Sequence, residues 1–267
     1  ERCAGCEAGI EACKTDKSTA GRDVLPAMKA VRESEGPVYM MVAPAFLGQF
    51  SEKVTPGKLR TAFQALGFTG MVEVALFADI LTLKEALEFD KQVNEEGDYQ
   101  LTSCCCPIGI SMIRKMYHEL MPHVPGAVSP MVACGRMIKQ LHPDALTVFA
   151  GPCLAKKSEA KEPDIAGAVD YVLTFQEIQD IFEAADIHPE ELADKEKEHS
   201  SRAGRIYART GGVSEAVQET EKQLRPDRKR KVKAEQADGI PAGRELTKRI
   251  QNKETDANFF EGMGGQG

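Results

Sequence analysis

Eight cysteines fall in tight groups along this chain of 267 residues, and their grouping is its most chemically suggestive feature. Cys3, Cys6 and Cys13 lie near the start, Cys104, Cys105 and Cys106 are consecutive, and Cys134 and Cys153 follow singly. A disulfide framework would spread its cysteines through a small secreted domain. Three cysteines in a row cannot bridge one another without strained geometry. Clustered thiols in a chain with no secretory signal therefore point to metal ligation in the cytoplasm.

The consecutive group sits in Leu101-Thr102-Ser103-Cys104-Cys105-Cys106-Pro107, ahead of a segment from Ile108 to Met121. Ile110, Ile113, Tyr117 and Leu120 recur there at helical spacing, which predicts an amphipathic helix. Pro107 suits the first turn, where a missing N–H costs nothing. Cys106 is then expected at the helix N-terminus, where free N–H groups and the dipole stabilise a thiolate or an anionic cluster. Buried cysteines acting as small hydrophobes would account for one thiol of this run but poorly for three. The second site is Gly151-Pro152-Cys153-Leu154-Ala155-Lys156-Lys157, directly after an apolar strand. At the start, Cys3-x2-Cys6-x6-Cys13 resembles a bacterial ferredoxin run with Gly9 at the third cysteine position and Lys14 at the proline position. A zinc site there lacks a fourth ligand, since no histidine lies near.

The elements that must carry these motifs alternate. Strands are expected at Val38–Val42, Met71–Phe77, Leu146–Ala150 and Tyr171–Leu173, and helices at Gly57–Leu66, capped by Gly67, and at Leu83–Val93. Thr174-Phe175-Gln176-Glu177 reads as a capping box before a helix carrying Ile178, Ile181 and Phe182. Alternating strands and helices predict an α/β fold, and in such folds ligands gather at the carboxyl ends of strands. The motifs at Ala43 and Cys153 fall there. The acidic stretch from Ile187 to His199 and the basic run from Arg225 to Lys233 read as solvated faces or insertions. For the basic run the sharper alternative is docking of an acidic electron-transfer partner. The net charge of −7 gives no general reason to expect a nucleic-acid or anionic-membrane partner. No apolar run approaches the roughly 18 residues that a membrane span needs.

The motifs around Cys106 and Cys153 resemble the first two signature motifs of the iron-only ([FeFe]) hydrogenase large-subunit domain, in their usual order. Ser129-Pro130-Met131-Val132, Gly211-Gly212-Val213 and Phe260-Glu261-Gly262-Met263-Gly264 extend the resemblance from about Val38 to Gly267. The wording, with Gly-Pro-Cys and Ser-Pro-Met, is closest to the sensory or less-studied branches. The resemblance implies two α/β lobes with mixed, largely parallel sheets flanked by helices, enclosing a central metal-cluster cavity. The implied domains are a partial ferredoxin-like segment over 1–36 and an H-cluster domain over 37–267, truncated in its third motif.

The implied cofactor is the H-cluster: a [4Fe-4S] cubane joined through a cysteine sulfur to a two-iron centre carrying CO, cyanide and an azadithiolate. Residue by residue, Cys106 and Cys153 match cubane ligands, and Cys105 matches the cysteine that exchanges protons with the bridging amine. Lys156 matches the lysine that hydrogen-bonds a cyanide, a charge-assisted contact. Ala43, Pro44, Ser129, Pro152 and Met263 match the wall around the two-iron site, and Cys3, Cys6 and Cys13 an electron-relay cluster. Glu85 and Glu88, three apart on one helix and so on one face, match the glutamates that relay protons outward. Ordinary surface carboxylates are the alternative for that pair. The implied reaction is 2 H⁺ + 2 e⁻ ⇌ H₂, with ferredoxin or another electron-transfer protein and the hydrogenase maturation proteins as partners.

Three departures bear on that reading. Gly265 stands where the third motif places a cysteine, so the chain offers two of the four cubane ligands of the family, and a cubane needs four. Cys104 and Cys134 are the remaining candidates for substitution. Gly151 replaces a methionine, and Pro125 stands where the outer proton path has a serine. Both changes are expected to alter the cluster environment and slow proton delivery, which fits a hydrogen-sensing role rather than fast turnover. An iron–sulfur assembly relative and an inactive fragment complete the alternatives.

Overall fold

The computed structural model describes residues 23–102, 106–195 and 210–264. In chain order these form α1 (Val24–Glu33), β1 (Val38–Val42), α2 (Pro56–Ala65), β2 (Gly70–Glu73), α3 (Ala75–Gln92), β3 (Gln100–Thr102), α4 (Pro107–Met116) and α5 (Pro130–Leu141). Then follow β4 (Leu146–Gly151), α6 (Ala155–Glu159), β5 (Tyr171–Thr174), α7 (Phe175–Ala184), α8 (Gly212–Leu224), β6 (Ala234–Asp238), α9 (Gly239–Gln251) and β7 (Phe259–Met263). They divide into two compact units, one holding residues 23–76 and 130–195 and the other 77–129 and 210–264.

The first unit is built on a four-stranded sheet in the order β2-β1-β4-β5, parallel throughout. The central β1 reads Val-Tyr-Met-Met-Val and buries every residue but Tyr39, as a strand covered on both faces should. Helix α2 packs on β2, α5 on β1 and β4, and α7 on β4 and β5. Phe50, Phe63, Phe68, Phe175 and Phe182 stack edge-on or tilted to one another in this unit. Helix α1 buries Ala27 and Val31 and packs against β4, so residues 24–33 are part of this unit. The rest of the expected 1–36 segment, with Cys3, Cys6 and Cys13, lies outside the described residues.

The second unit has a three-stranded sheet in the order β3-β7-β6, again all parallel. Successive side chains of a strand point to opposite faces, and β7 uses this to serve two cores. Phe259 joins Ala78, Ala86, Phe89, Val93, Val213, Ala216, Val217 and Val232. Phe260 joins Leu101, Ile113, Leu120, Ala237, Leu246 and Ile250. None of the three strands was expected. Ala-Glu-Gln-Ala-Asp in β6 is mostly polar, because it is an edge strand with only Ala237 fully buried.

Three expected elements are corrected. The strand expected over Met71–Phe77 ends at Glu73, and α3 begins at Ala75 rather than at Leu83. A continuous apolar run does not by itself distinguish a buried strand from a buried helix. The helix expected to reach Met121 stops at Met116, and a tighter 3-10 turn, His118–His123, takes over. Pro122 lies inside that turn; its ring and missing N–H exclude a continuing α-helix.

The two charged stretches are also not merely solvated. Part of the acidic one docks on α2: Thr55 donates to Asp194, Thr61 to the Ala193 carbonyl and Arg60 to the Lys195 carbonyl. In the basic run, half-buried Arg228 packs on Phe89, its guanidinium 5.0 Å from the ring centroid. It donates to the Asp90 carboxylate and to the carbonyls of Asp90, Phe89 and Val93 at the end of α3. It also lies 3.6 Å from the buried Glu221 carboxylate, which has no hydrogen-bond partner among the described residues. Breaking a buried pair from one side strands the other charge. Arg228→Ala is therefore expected to cost about 3–5 kcal/mol of unfolding free energy. Adding Glu221→Leu should recover part of that loss; denaturant melts of the two variants measure both effects.

Candidate metal centre

In the second unit the site grows from the junction of β3, α4 and β7. Cys106 has extended backbone angles and caps α4, with Pro107 at the first helical position, as expected. Its sulfur accepts the Gly109 N–H at 3.4 Å and the Gly264 N–H at 3.1 Å. Two amides converge on the sulfur of this buried residue, an arrangement that suits a metal-bound sulfur. The backbone at Gly264 is pressed against α4. A Cβ there would lie 2.4 Å from Ile108 Cγ2 and 2.5 Å from Ile108 Cβ, so only glycine brings this N–H to the sulfur without displacement. Met263, one residue earlier, is half-buried.

Two residues before Met263, Glu261 is almost fully buried. Its Oε1 accepts the Gly211 N–H at 3.0 Å, and its Oε2 accepts the Ser214 N–H at 2.8 Å and the Ser214 hydroxyl at 2.5 Å. The carboxylate thus closes the start of α8, whose N-cap, Gly211, has no side chain and a φ of +82°. Burial pushes the Glu261 carboxyl above its usual value, against the pull of these donors. Reading motifs separately missed this contact, although both the Gly-Gly-Val and the Glu-Gly-Met-Gly motifs were in view.

Glu85 and Glu88 share α3. Glu85 is fully buried, and its carbonyl accepts the Gln100 side-chain amide at 3.3 Å. Its burial removes the surface-carboxylate alternative for that residue. The Glu88 side chain is 20% exposed, with Oε1 3.8 Å from Lys84. Its Oε2 is buried with no hydrogen-bond partner among the described residues. Ser129 is buried just before α5.

In the first unit the expected residues gather where parallel β1 and β4 end side by side. Ala43 is buried and donates its N–H to the Ala150 carbonyl at 2.8 Å, and Pro44 opens a 3-10 turn, Pro44–Phe46. A Cβ on Gly151 would lie 2.5 Å from the Phe149 ring and 3.5 Å from Ala43 Cβ. Pro152 is exposed and Cys153 half-buried. Lys156 is buried, with Nζ 2.7 Å from Glu159. Lys157, also buried, is 2.7 Å from Glu177, which simultaneously closes the capping box on Thr174.

Cys105 and Cys104 lie outside the described residues. Cys134 is fully buried on α5, and burial pushes its thiol far above the ordinary value. Among the described residues, no three His, Cys, Asp or Glu side chains are grouped to hold a metal. Within the second unit the backbone donors fit sulfur ligation of a metal at Cys106, and Cys153 lies in the first unit. No helix among the described residues is long and apolar enough to cross a membrane.

Comparison with known proteins identifies the family. Iron hydrogenase 1 of Clostridium pasteurianum is 30% identical over 213 residues, 73% of this chain and 36% of that protein. The periplasmic [Fe] hydrogenase large subunit of Nitratidesulfovibrio vulgaris is 29% identical over 61% of this chain and 43% of its own. The NADP-reducing hydrogenase subunit HndD of Solidesulfovibrio fructosivorans is 24% identical over 98% of this chain and 50% of its own. The chain thus spans half or less of these relatives' length. Among solved structures, [FeFe]-hydrogenase HydA1 from Chlamydomonas reinhardtii superposes with a TM-score of 0.73 at 21% identity, over 91% of this chain and 82% of that one. A structure described as revealing stepwise H-cluster assembly superposes at 0.74 and 21%, over 91% and 81%. These likenesses bear out the expected α/β fold with parallel sheets flanked by helices. The model of the iron only hydrogenase large subunit, C-terminal domain, matches residues 36–267, and this chain belongs to that family.

Proposed function

We propose that this chain is a hydrogen-activating iron–sulfur protein catalysing 2 H⁺ + 2 e⁻ ⇌ H₂ at an H-cluster. The observation that carries the reading is the Cys106 sulfur, fixed at a helix N-cap between two amide donors. Cys106 and Cys153 each give a thiolate to a [4Fe-4S] cluster. By the family resemblance, Ala43, Pro44, Ser129, Pro152 and Met263 would line the two-iron centre. When bound, the two-iron centre with its CO, cyanide and azadithiolate supplies the metal that binds hydrogen, while the protein supplies position and proton path. Lys156 would offer a cyanide a charge-assisted hydrogen bond from its ammonium. Cys105 exchanges the proton at the site. Glu85, wholly buried, holds it away from solvent, and Glu88, three residues on and partly exposed, passes it outward.

Electrons reach the cluster from ferredoxin or a similar protein, with Cys3, Cys6 and Cys13 as the remains of a relay, and hydrogenase maturation proteins deliver the two-iron centre. A hydrogen-sensing role is the second reading, favoured by Gly151. Its backbone abuts the Phe149 ring, so the methionine of the turnover enzymes has no room without moving that ring.

Anaerobic reconstitution of the full chain with ferrous iron, sulfide and a small thiol to complete the cage is expected to give a brown protein with an iron–sulfur EPR signal on reduction. Cys106→Ser and Cys153→Ser should each abolish the signal while leaving the far-UV circular dichroism unchanged. A colourless, iron-free product from the unaltered chain would end the reading. After maturation, infrared bands of CO and cyanide separate a full H-cluster from an iron–sulfur cluster alone. In a matured protein, Glu85→Gln should keep those bands and slow hydrogen–deuterium exchange by roughly 10²-fold or more, the usual scale for loss of a positioned proton carrier. Unchanged exchange would remove Glu85 from the proton path.

A further inference from the structure

We propose that Glu261 is a positioning residue that aims the Gly264 amide at the Cys106 sulfur, and that this N–H···S bond sets the potential of the cluster Cys106 holds. The inference rests on the cluster-binding reading above and adds to it a tuning device outside the ligand set.

The geometry has three parts. First, β7 is fixed laterally on both edges: Glu261 is in register with Thr102 of β3, and Met263 with Asp238 of β6. Lateral pairing alone leaves the end of the strand free to tilt. Second, the Glu261 carboxylate removes that freedom by accepting three hydrogen bonds from Gly211 and Ser214 at the start of α8. A carboxylate at a helix N-terminus is held by unsatisfied amides and by the dipole together. Third, three residues further on, the Gly264 N–H reaches the Cys106 sulfur at 3.1 Å, shorter than the contact from Gly109 at 3.4 Å. The approach is possible only because Gly264 presents no Cβ to Ile108.

The physical consequence concerns electrons. Hydrogen bonds to cluster sulfurs stabilise the more negatively charged, reduced state and so move the potential upward. The amide of Gly264 is placed to do this, and the burial of Glu261 makes its anchor stiff, because a buried carboxylate cannot exchange its protein donors for water without cost.

The test uses the full chain, reconstituted anaerobically with iron, sulfide and a small thiol, and titrated electrochemically with EPR detection. Gly264→Ala is expected to retain iron and shift the potential negative, because the new methyl pushes the amide off the sulfur. Gly264→Ala combined with Ile108→Gly makes room for that methyl and should return the potential toward the wild-type value. Glu261→Gln should also shift it negative. Loss of a nearby negative charge acting only through space would shift it positive, so the sign separates positioning from simple electrostatics. Should Glu261→Gln fail to fold, Ser214→Ala, which removes only the hydroxyl contact, is expected to give a smaller negative shift. Unmoved potential in Gly264→Ala, a positive shift or none in Glu261→Gln, or no recovery in the double variant overturns the proposal while the cluster reading survives. An unaltered chain that takes up no cluster overturns both.

Discussion

The alternation of side chains along β7 is the constraint on which the second unit depends. Phe259 and Phe260 are adjacent in sequence, yet each completes a different apolar cluster, because neighbouring residues of a strand face opposite ways. The same alternation continues into the polar part of the strand. Glu261 follows the parity of Phe259, whose cluster contains Val213, Ala216 and Val217 of α8. That is the face on which Glu261 meets the first turn of α8. Gly264 follows the parity of Phe260, whose cluster contains Ile113 of α4. That is the face on which Gly264 meets Cys106 and Ile108. A one-residue slip of register would exchange the faces and turn the Glu261 side chain away from the start of α8. Packing and chemistry are therefore set by a single register, and two phenylalanines enforce it.

Buried charge in this molecule is handled by pairing it with backbone as often as with an opposite charge. Glu261 is held by two amides and a hydroxyl. Arg228 binds three carbonyls at the end of α3 as well as the Asp90 carboxylate. Lys157 follows the other pattern and pairs with Glu177, itself bound to the Thr174 N–H. Helix ends provide these partners because their amides and carbonyls have no intrahelical mates. The consequence is that the charged groups fix helix termini in space. The short helix after Cys153 and the start of α8 owe their placement to such contacts.

Much of the four-stranded unit was legible in the sequence. Val38–Val42 and Leu146–Ala150 are continuous apolar runs that end in small or turn-forming residues, and the Thr174–Glu177 box is a local signal for a local structure. The three-stranded unit was not legible, for a physical reason. The polar residues of β6 and the three-residue β3 owe their strand conformation to partners far along the chain, which no local window contains. The helical reading past Met116 failed at Tyr117, whose backbone (φ −137°, ψ 49°) leaves the helical region. At the site, Cys106 as a helix cap was legible from Pro107 and the pattern after it. The burial of Glu85 was not, because three-residue spacing places two carboxylates on one face without saying whether that face is wet. The bond from Gly264 to sulfur was hidden for the same reason as the sheet: its partners are 158 residues apart.

Three cysteines of one chain show how little the residue type alone decides. Cys134 lies on α5 among apolar neighbours, and burial keeps its thiol protonated. Cys153 sits half-buried at the carboxyl end of a parallel strand, in the loop where α/β sheets expose backbone and side chains to ligands. Cys106 is nearly as buried as Cys134, but its surroundings are polar where those of Cys134 are not. Two N–H groups point at its sulfur, one from its own helix and one from β7. The difference between the two sulfurs thus lies in the backbone around them, and at Cys106 that backbone includes the N–H of a glycine.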